Sequence, residues 1–141
     1  MRKRRVAFHA AAFFPHAGTL VLLLGIAILP GCGKGDRPPL GTVHGRITLD
    51  GKPLSGARIG FVPKEAGRES SGITDAEGNY ELKYLRDAMG AKVGGHKVSI
   101  STAHDRARTT ETVPAKYNVN STLEKQVAAG DNVIDFELTT R

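Results

Sequence analysis

Residues 43–62, VHGRITLDGKPLSGARIGFV, decide the fold that the rest of the chain must complete. Val43, Ile47 and Leu49 share one parity and alternate with polar residues, which predicts a strand with one buried face and one wet face. After a turn containing Pro and Gly, residues 57–61 resume the same alternation. Two consecutive strands joined in this way favour a β-hairpin. Because a hairpin alone is marginal in water, the remaining chain must supply strands that pack against it.

Four later segments are predicted strands, and three of them repeat this alternation with apolar residues of one parity facing inward. Turn-forming residues recur about every ten positions, and no helix longer than one or two turns is indicated. The total of about seven short strands is typical of an all-β sandwich. The four segments are residues 71–85, with Tyr80, Leu82 and Tyr84 inward; residues 96–102, with Val98 and Ile100 inward; residues 123–127; and residues 133–138, with Ile134, Phe136 and Leu138 inward.

A tight turn is predicted at residues 75–78, Asp-Ala-Glu-Gly. Asp75 can accept hydrogen bonds from the backbone ahead of it, and Gly78 can adopt a positive φ. The alternative is a calcium loop that uses oxygen atoms of Asp75, Glu77 and Asn79. A calcium loop needs a longer run of oxygen ligands closed by a bidentate Glu, so the sequence favours the turn.

Residues 103–122 form the longest segment without periodicity, and a loop of about 20 residues in a small domain is usually functional or contains an undetected element. The candidate partner contacts in this loop are Lys116, Tyr117 and Asn118, because an aromatic ring with polar neighbours suits a sugar, a peptide or a partner protein. The alternative is that Tyr117 closes one end of the sandwich as a buried plug.

The net charge of +6 is concentrated at the beginning of the chain. Residues 1–31 hold four of the 20 Lys and Arg residues and none of the 14 Asp and Glu residues, so the remainder has a net charge of +2. A charge this small, mixed in sign along the strands, provides no basic stripe for a phosphate backbone. The sequence therefore predicts no nucleic-acid partner.

A targeting segment is predicted at residues 1–31, because a cationic run precedes an apolar core and the sequence Leu29-Pro30-Gly31-Cys32. This arrangement resembles the lipobox of bacterial lipoproteins. The resemblance implies cleavage between Gly31 and Cys32 and acylation of the Cys32 thiol, which would make membrane lipid a partner. Gly33, rather than Asp, follows the cysteine, and in such lipoproteins this favours the outer membrane where the cell has one. The alternatives are an uncleaved membrane anchor and an ordinary secretory signal.

The domain boundaries follow from this assignment. We expect a signal peptide at 1–31, a flexible tether rich in Gly and Pro at 32–40, and a single β-sandwich domain at 41–141. Cys32 is the only cysteine, so the chain has no internal disulfide and no cysteine zinc site.

Five segments of the mature chain resemble the carboxypeptidase regulatory-like domain of short bacterial envelope lipoproteins. The resemblance implies a transthyretin-like or prealbumin-like sandwich of seven strands, with an Ig-like arrangement, that acts as an accessory module rather than a catalyst. It transfers no catalytic residue, metal ligand or cofactor to this chain. The segments are GRITLDGKPLSGARIGFVP (45–63), TDAEGNYEL (74–82), GGHKVSIST (94–102), VPAKYNVNSTL (113–123) and GDNVIDFEL (130–138).

The residues themselves also indicate a protein that is not an enzyme. His44, His96 and His104 are isolated from one another in sequence, and the chain lacks both a G-x-S-x-G motif and a second cysteine. We expect no metal and no cofactor. The expected function is a lipid-anchored envelope module that binds or adheres to a carbohydrate, a peptide or a protein. The alternatives are a passive spacer of the envelope and an accessory domain of a hydrolase complex.

Replacing Cys32 tests the anchor. Cys32→Ser should block both lipid transfer and cleavage, because serine has no thiol to acylate, and should leave a precursor that retains residues 1–31. Intact-mass spectrometry of the wild-type envelope protein should show an N-terminus at Cys32 with added acyl mass. A wild-type chain that begins at Met1, or one with a free thiol, would contradict the assignment.

Overall fold

The computed structural model describes residues 37–105 and 110–141, and strands account for nearly all of the regular structure in them. One 3₁₀ helix spans Ala115–Tyr117. The strand segments are β1 (Leu40–Leu49), β2 (Lys52–Pro53), β3 (Arg58–Pro63), β4 (Ser70–Ile73), β5 (Asn79–Glu81), β6 (Lys83–Leu85), β7 (Ala88–Met89), β8 (Ala91–Lys92), β9 (Gly94–Ser101), β10 (Glu124–Val127), β11 (Gly130–Val133) and β12 (Phe136–Leu138).

Strand β1 is the centre of the first sheet and is paired along both edges. On one edge β11 and then β12 run parallel to it, with Gly41 opposite Gly130 and Ile47 opposite Phe136. On the other edge β8, β5 and β2 pair with it in antiparallel fashion, one after another along its length. Both rows of backbone hydrogen-bonding groups on β1 therefore find partners within the sheet.

The second sheet has the strand order β10-β9-β3-β4-β6-β7. Its longest pairing joins β3 to β9, with Ile59 opposite Ile100 and Phe61 opposite Val98. The two sheets pack face to face, and the domain is an all-β sandwich, as the sequence predicted.

The predicted hairpin between the first two strands is wrong, because β1 and β3 lie in different sheets. The residues after β1 first return along it as the two-residue strand β2. Gly56, with φ of 66°, then redirects the chain toward the second sheet, and β3 pairs there with β4 and β9. A Gly at this position permits the positive φ that the crossing requires.

The predicted inward parity is confirmed for β3 and β9, because Ala57, Ile59, Phe61, Val98 and Ile100 are all buried. The segment at 71–85 has a further break at Leu82 besides its predicted turn, and the predicted strand at 133–138 is interrupted at Ile134 and Asp135. The described residues contain twelve strand segments rather than about seven, because these breaks and several two-residue strands add to the predicted ones. The core consists of Val43, Ile47, Leu54, Ala57, Ile59, Phe61, Tyr80, Leu82, Ala91, Val98, Ile100, Val113, Val127, Phe136 and Leu138.

The interruption between β11 and β12 is held by side-chain hydrogen bonds with β1 and β5. The Tyr80 hydroxyl donates to the Ile134 carbonyl at 2.6 Å, and the Arg46 amide donates to the Asp135 carboxylate at 2.7 Å. Gly45 lies directly beneath, where a Cβ would collide with the Ile134 carbonyl oxygen. The last strand can bend at this point because Gly45 leaves room for its backbone.

The turn at residues 75–78 is confirmed. Gly78 has a φ of 81°, and the Asp75 carboxylate accepts hydrogen bonds from the Glu77 amide at 3.0 Å and the Asn79 amide at 2.8 Å. These bonds lower the pKa of Asp75, with the Asn79 amide making the largest contribution.

The predicted tether extends too far at its end, because Leu40 already belongs to β1. Of residues 32–40, only those from Arg37 onward lie in the described part of the chain. The Pro39 carbonyl accepts a hydrogen bond from the Val93 amide at 2.9 Å, so this part of the segment is fixed to the domain.

Gly45→Ala should lower the free energy of unfolding by about 1–3 kcal/mol, because its methyl group overpacks the bend at Ile134. The matched control is Gly95→Ala in β9, where a Cβ would meet only the flexible side chains of Lys64 and Gln126. Urea denaturation of both variants provides the comparison. Equal losses from the two substitutions would contradict the role given to Gly45.

Candidate functional site

The segment from Thr110 to Asn120 contains the element that was missing from the sequence prediction. The 3₁₀ helix begins after Pro114, whose carbonyl accepts a hydrogen bond from the Tyr117 amide at 2.9 Å. The Asn118 and Asn120 amides both donate to the Ala115 carbonyl, at 3.2 and 2.9 Å. Residues 114–120 of the aperiodic sequence therefore form a compact turn of helix rather than an open loop.

Tyr117 is half-buried, and its ring packs against the edge of the core. Its hydroxyl accepts a hydrogen bond from the Thr139 amide at 3.2 Å. The Lys116 ammonium lies 5.0 Å from the centre of the Tyr117 ring and donates to the Arg141 carbonyl. Both side chains thus hold the segment that follows β12.

The Asn118 side chain also forms hydrogen bonds within the chain. Its side-chain amide donates to the Val113 carbonyl at 3.0 Å, and its side-chain oxygen accepts from the Val119 amide at 2.6 Å. The structure places Lys116, Tyr117 and Asn118 together, and each has an intramolecular role. Their contact with a partner stays a prediction.

Glu111 fastens this segment to the end of β9, and the sequence did not single it out. Its carboxylate accepts hydrogen bonds from the Ser101 hydroxyl at 2.5 Å, the Thr102 amide at 3.0 Å and the Val113 amide at 2.8 Å. Partial burial raises the pKa of Glu111, but these hydrogen bonds outweigh it and lower the pKa to about 2.

Between β9 and this segment lies an open groove of about 610 Å³. Val119 stands at its rim and is 82% exposed, whereas Val113 is buried. A single exposed valine is ordinary, but here it adjoins the apolar groups of the groove, and a continuous apolar groove is the kind of surface that marks a contact site. The groove is lined by Ser99, Ser101, Ala103, Glu111, Val113, Ala115, Asn118 and Val119. Sequence reasoning identified the segment as unusual but not the groove, because the groove depends on how residues 111–119 fold back against β9.

Buried polar groups lie elsewhere, inside the core. His96 is buried, and its Nδ1–H donates to the Gly94 carbonyl at 3.0 Å. Within residues 37–105 and 110–141, His96 Nε2 and the Ser70 hydroxyl oxygen are the buried side-chain atoms without a hydrogen-bond partner. Burial lowers the pKa of His96, and the positive charge of Lys92 adds to this, while the Gly94 carbonyl opposes it.

The other predicted sites lie outside the described residues or remain separate. Gly31 and Cys32 are not among the residues that the structure describes. His44 lies 3.3 Å from the Asp131 carboxylate on the outer face of the first sheet, and His104 contacts the Gly56 carbonyl at 3.0 Å.

In the described part of the chain, no three His, Cys, Asp or Glu side chains are grouped so as to hold a metal ion. No helix in that part is both long and apolar enough to span a membrane.

The architecture defines the class of this protein, a small all-β domain built as a two-sheet sandwich. No family model matches the chain, and no curated protein matches it. Among solved structures, the chain is similar to the crystal structure of a DUF3823 family protein from Parabacteroides merdae, with a TM-score of 0.47 and 12% sequence identity. The similarity covers 72% of this chain and 46% of that one, so this chain spans less than half the length of that protein.

The depressed pKa of Glu111 predicts a dependence of stability on pH. Because the folded-state pKa of about 2 lies below the ordinary value of 4.5, its stabilisation is present above pH 4.5 and is lost as the pH falls toward 2. Glu111→Gln should therefore lower the melting temperature at pH 6, and the difference from wild type should shrink as the pH is lowered. The control is Glu137→Gln, at an exposed position of β12. A difference that does not change between pH 6 and pH 2 would contradict the assignment.

Proposed function

We propose that the protein is a non-catalytic module of the bacterial cell envelope, anchored by lipid at Cys32, whose sandwich binds an envelope protein, a peptide or a glycan. In this proposal the fold belongs to the transthyretin-like, seven-stranded sandwiches of the carboxypeptidase regulatory-like type. The sequence features behind it are the lipobox-like Leu29-Pro30-Gly31-Cys32 and the five segments that resemble this domain.

The observation that carries the binding proposal is the groove beside the 3₁₀ helix. It is open to solvent, lined mostly by small and apolar groups, and bordered by the exposed Val119. Glu111 and Asn118 fix its wall through hydrogen bonds to the chain. A wall fixed in advance loses little entropy when a ligand binds. A volume of about 610 Å³ is in the range of sites that take a whole small ligand, such as a sugar or a short stretch of peptide.

The passive spacer is the second candidate, and one observation favours it. Lys116 and Tyr117 are both engaged with the residues that follow β12, which leaves them less free to contact a partner. A spacer would need only the folded sandwich and its anchor. The two proposals differ in whether a substitution of Val119 reduces the binding of a partner.

Substituting two exposed valines separates the proposals. Val119→Lys places a charge at the rim of the groove, and the matched control Val133→Lys places one at a 65% exposed position on the other sheet. Cross-linking in intact cells, followed by purification, should recover a partner with wild type and with Val133→Lys. Recovery with Val119→Lys should fall at least about tenfold, which corresponds to about 1.4 kcal/mol of binding free energy. Equal recovery from both variants would contradict binding at the groove, and no specific partner would favour the spacer.

A further inference from the structure

Strand β1 gives the sandwich two distinguishable ends. At its beginning, Gly41 lies opposite Gly130, and Leu40 lies opposite Lys92. The turn between β10 and β11, with Ala129, therefore belongs to this entry end. At the other end of β1, Asp50 accepts a hydrogen bond from the Thr140 hydroxyl at 2.7 Å.

The groove lies at the far end. His104, shortly after β9, contacts the Gly56 carbonyl just before β3, and Tyr117 contacts Thr139 beyond β12. The described residues between 101 and 119 are thus next to the end of β1 rather than its beginning. At about 3.3 Å per residue, the ten residues of β1 separate the two ends by about 30 Å.

The described residues that precede β1 are fixed to the entry end. The Arg37 guanidinium lies 2.6 Å from the Asp87 carboxylate, and the Pro39 carbonyl is bound by the Val93 amide. The ion pair is largely exposed, so it is weak and sensitive to salt. The backbone bond at Pro39 does not depend on it.

We propose that, on a membrane, the entry end faces the lipid headgroups and the groove points away from them. This inference rests on the proposed lipid anchor at Cys32. Five residue steps join Cys32 to Arg37, so the chain between them reaches at most about 18 Å, and about 25 Å to Pro39 if the ion pair opens. Both lengths are shorter than the roughly 30 Å of β1, so the sandwich cannot invert to press its groove end against the headgroups.

Charge does not separate the two ways of lying down on the membrane by itself. The outer face of the first sheet carries exposed Glu81, Asp131 and Glu137, but it also carries exposed Arg46 and the His44 that lies 3.3 Å from the Asp131 carboxylate. The second sheet carries exposed Lys83 and Lys97, so lying on that face is the competing orientation to be tested. In the proposed orientation, with the entry end at the headgroups, the groove is accessible to a partner in the surrounding compartment.

The experiment uses the processed, acylated protein in vesicles of phosphatidylethanolamine and phosphatidylglycerol that carry an acceptor dye on a fraction of the headgroups. Because acylation occupies Cys32, the single cysteine of the chain, one new cysteine gives one labelled position. The entry-end variant is Ala129→Cys, and the groove-end variant is Val119→Cys, both at exposed positions. Energy transfer should be several times stronger from position 129 than from position 119.

Equal transfer from both positions, or stronger transfer from 119, would overturn the orientation. Flotation of the protein with the vesicles is measured separately, and a protein that fails to float would overturn the anchor and the orientation together. Asp87→Asn should leave flotation unchanged and reduce the difference in transfer, since it releases Arg37 and lengthens the free chain by about 7 Å. An unchanged difference would show that the ion pair does not shorten the tether.

Discussion

The pairing of β1 along both edges is the constraint on which the first sheet depends. Strands β2, β5, β8, β11 and β12 pair with β1, and none of them is longer than four residues. Short strands like these are unstable alone, so their order comes from a template that offers hydrogen bonds on both sides. Without β1, the first sheet would have no common partner, and the inner face of the second sheet would lose its cover.

Close approach at β1 requires residues without side chains. Gly41 and Gly45 each lie where a Cβ would collide with a backbone oxygen of the last part of the chain, at Ala128 and Ile134.

The outer edges of the sandwich are protected from pairing with other chains by charges and by a bend. Strand β10 exposes Glu124 and Lys125, and the edge formed by β11 and β12 is bent at Ile134. Charges and bends at free edges discourage pairing with other chains.

Local features of this fold were predictable from the sequence, and nonlocal ones were not. The inward parity of Ile59, Phe61, Val98 and Ile100 follows from alternation within each strand, and the turn at Gly78 follows from its neighbours. The placement of β1 and β3 in different sheets depends on pairings with strands about 40 to 90 residues away, which periodicity cannot reveal. The same distinction between predictable and unpredictable features holds for the candidate site. Residues 114–118 were recognised, whereas Glu111 acquires its role only through Ser101 and Thr102.

Hydrogen exchange measured residue by residue tests the central role of β1 most directly. If β1 is the template of the first sheet, the amides of Val43 and Ile47 exchange only when the whole domain unfolds, and their exchange free energy equals that of global unfolding. The amides of β10, at an edge, and of residues 110–120 should exchange through smaller openings. Exchange of the β1 amides as fast as those in residues 110–120 would contradict the account.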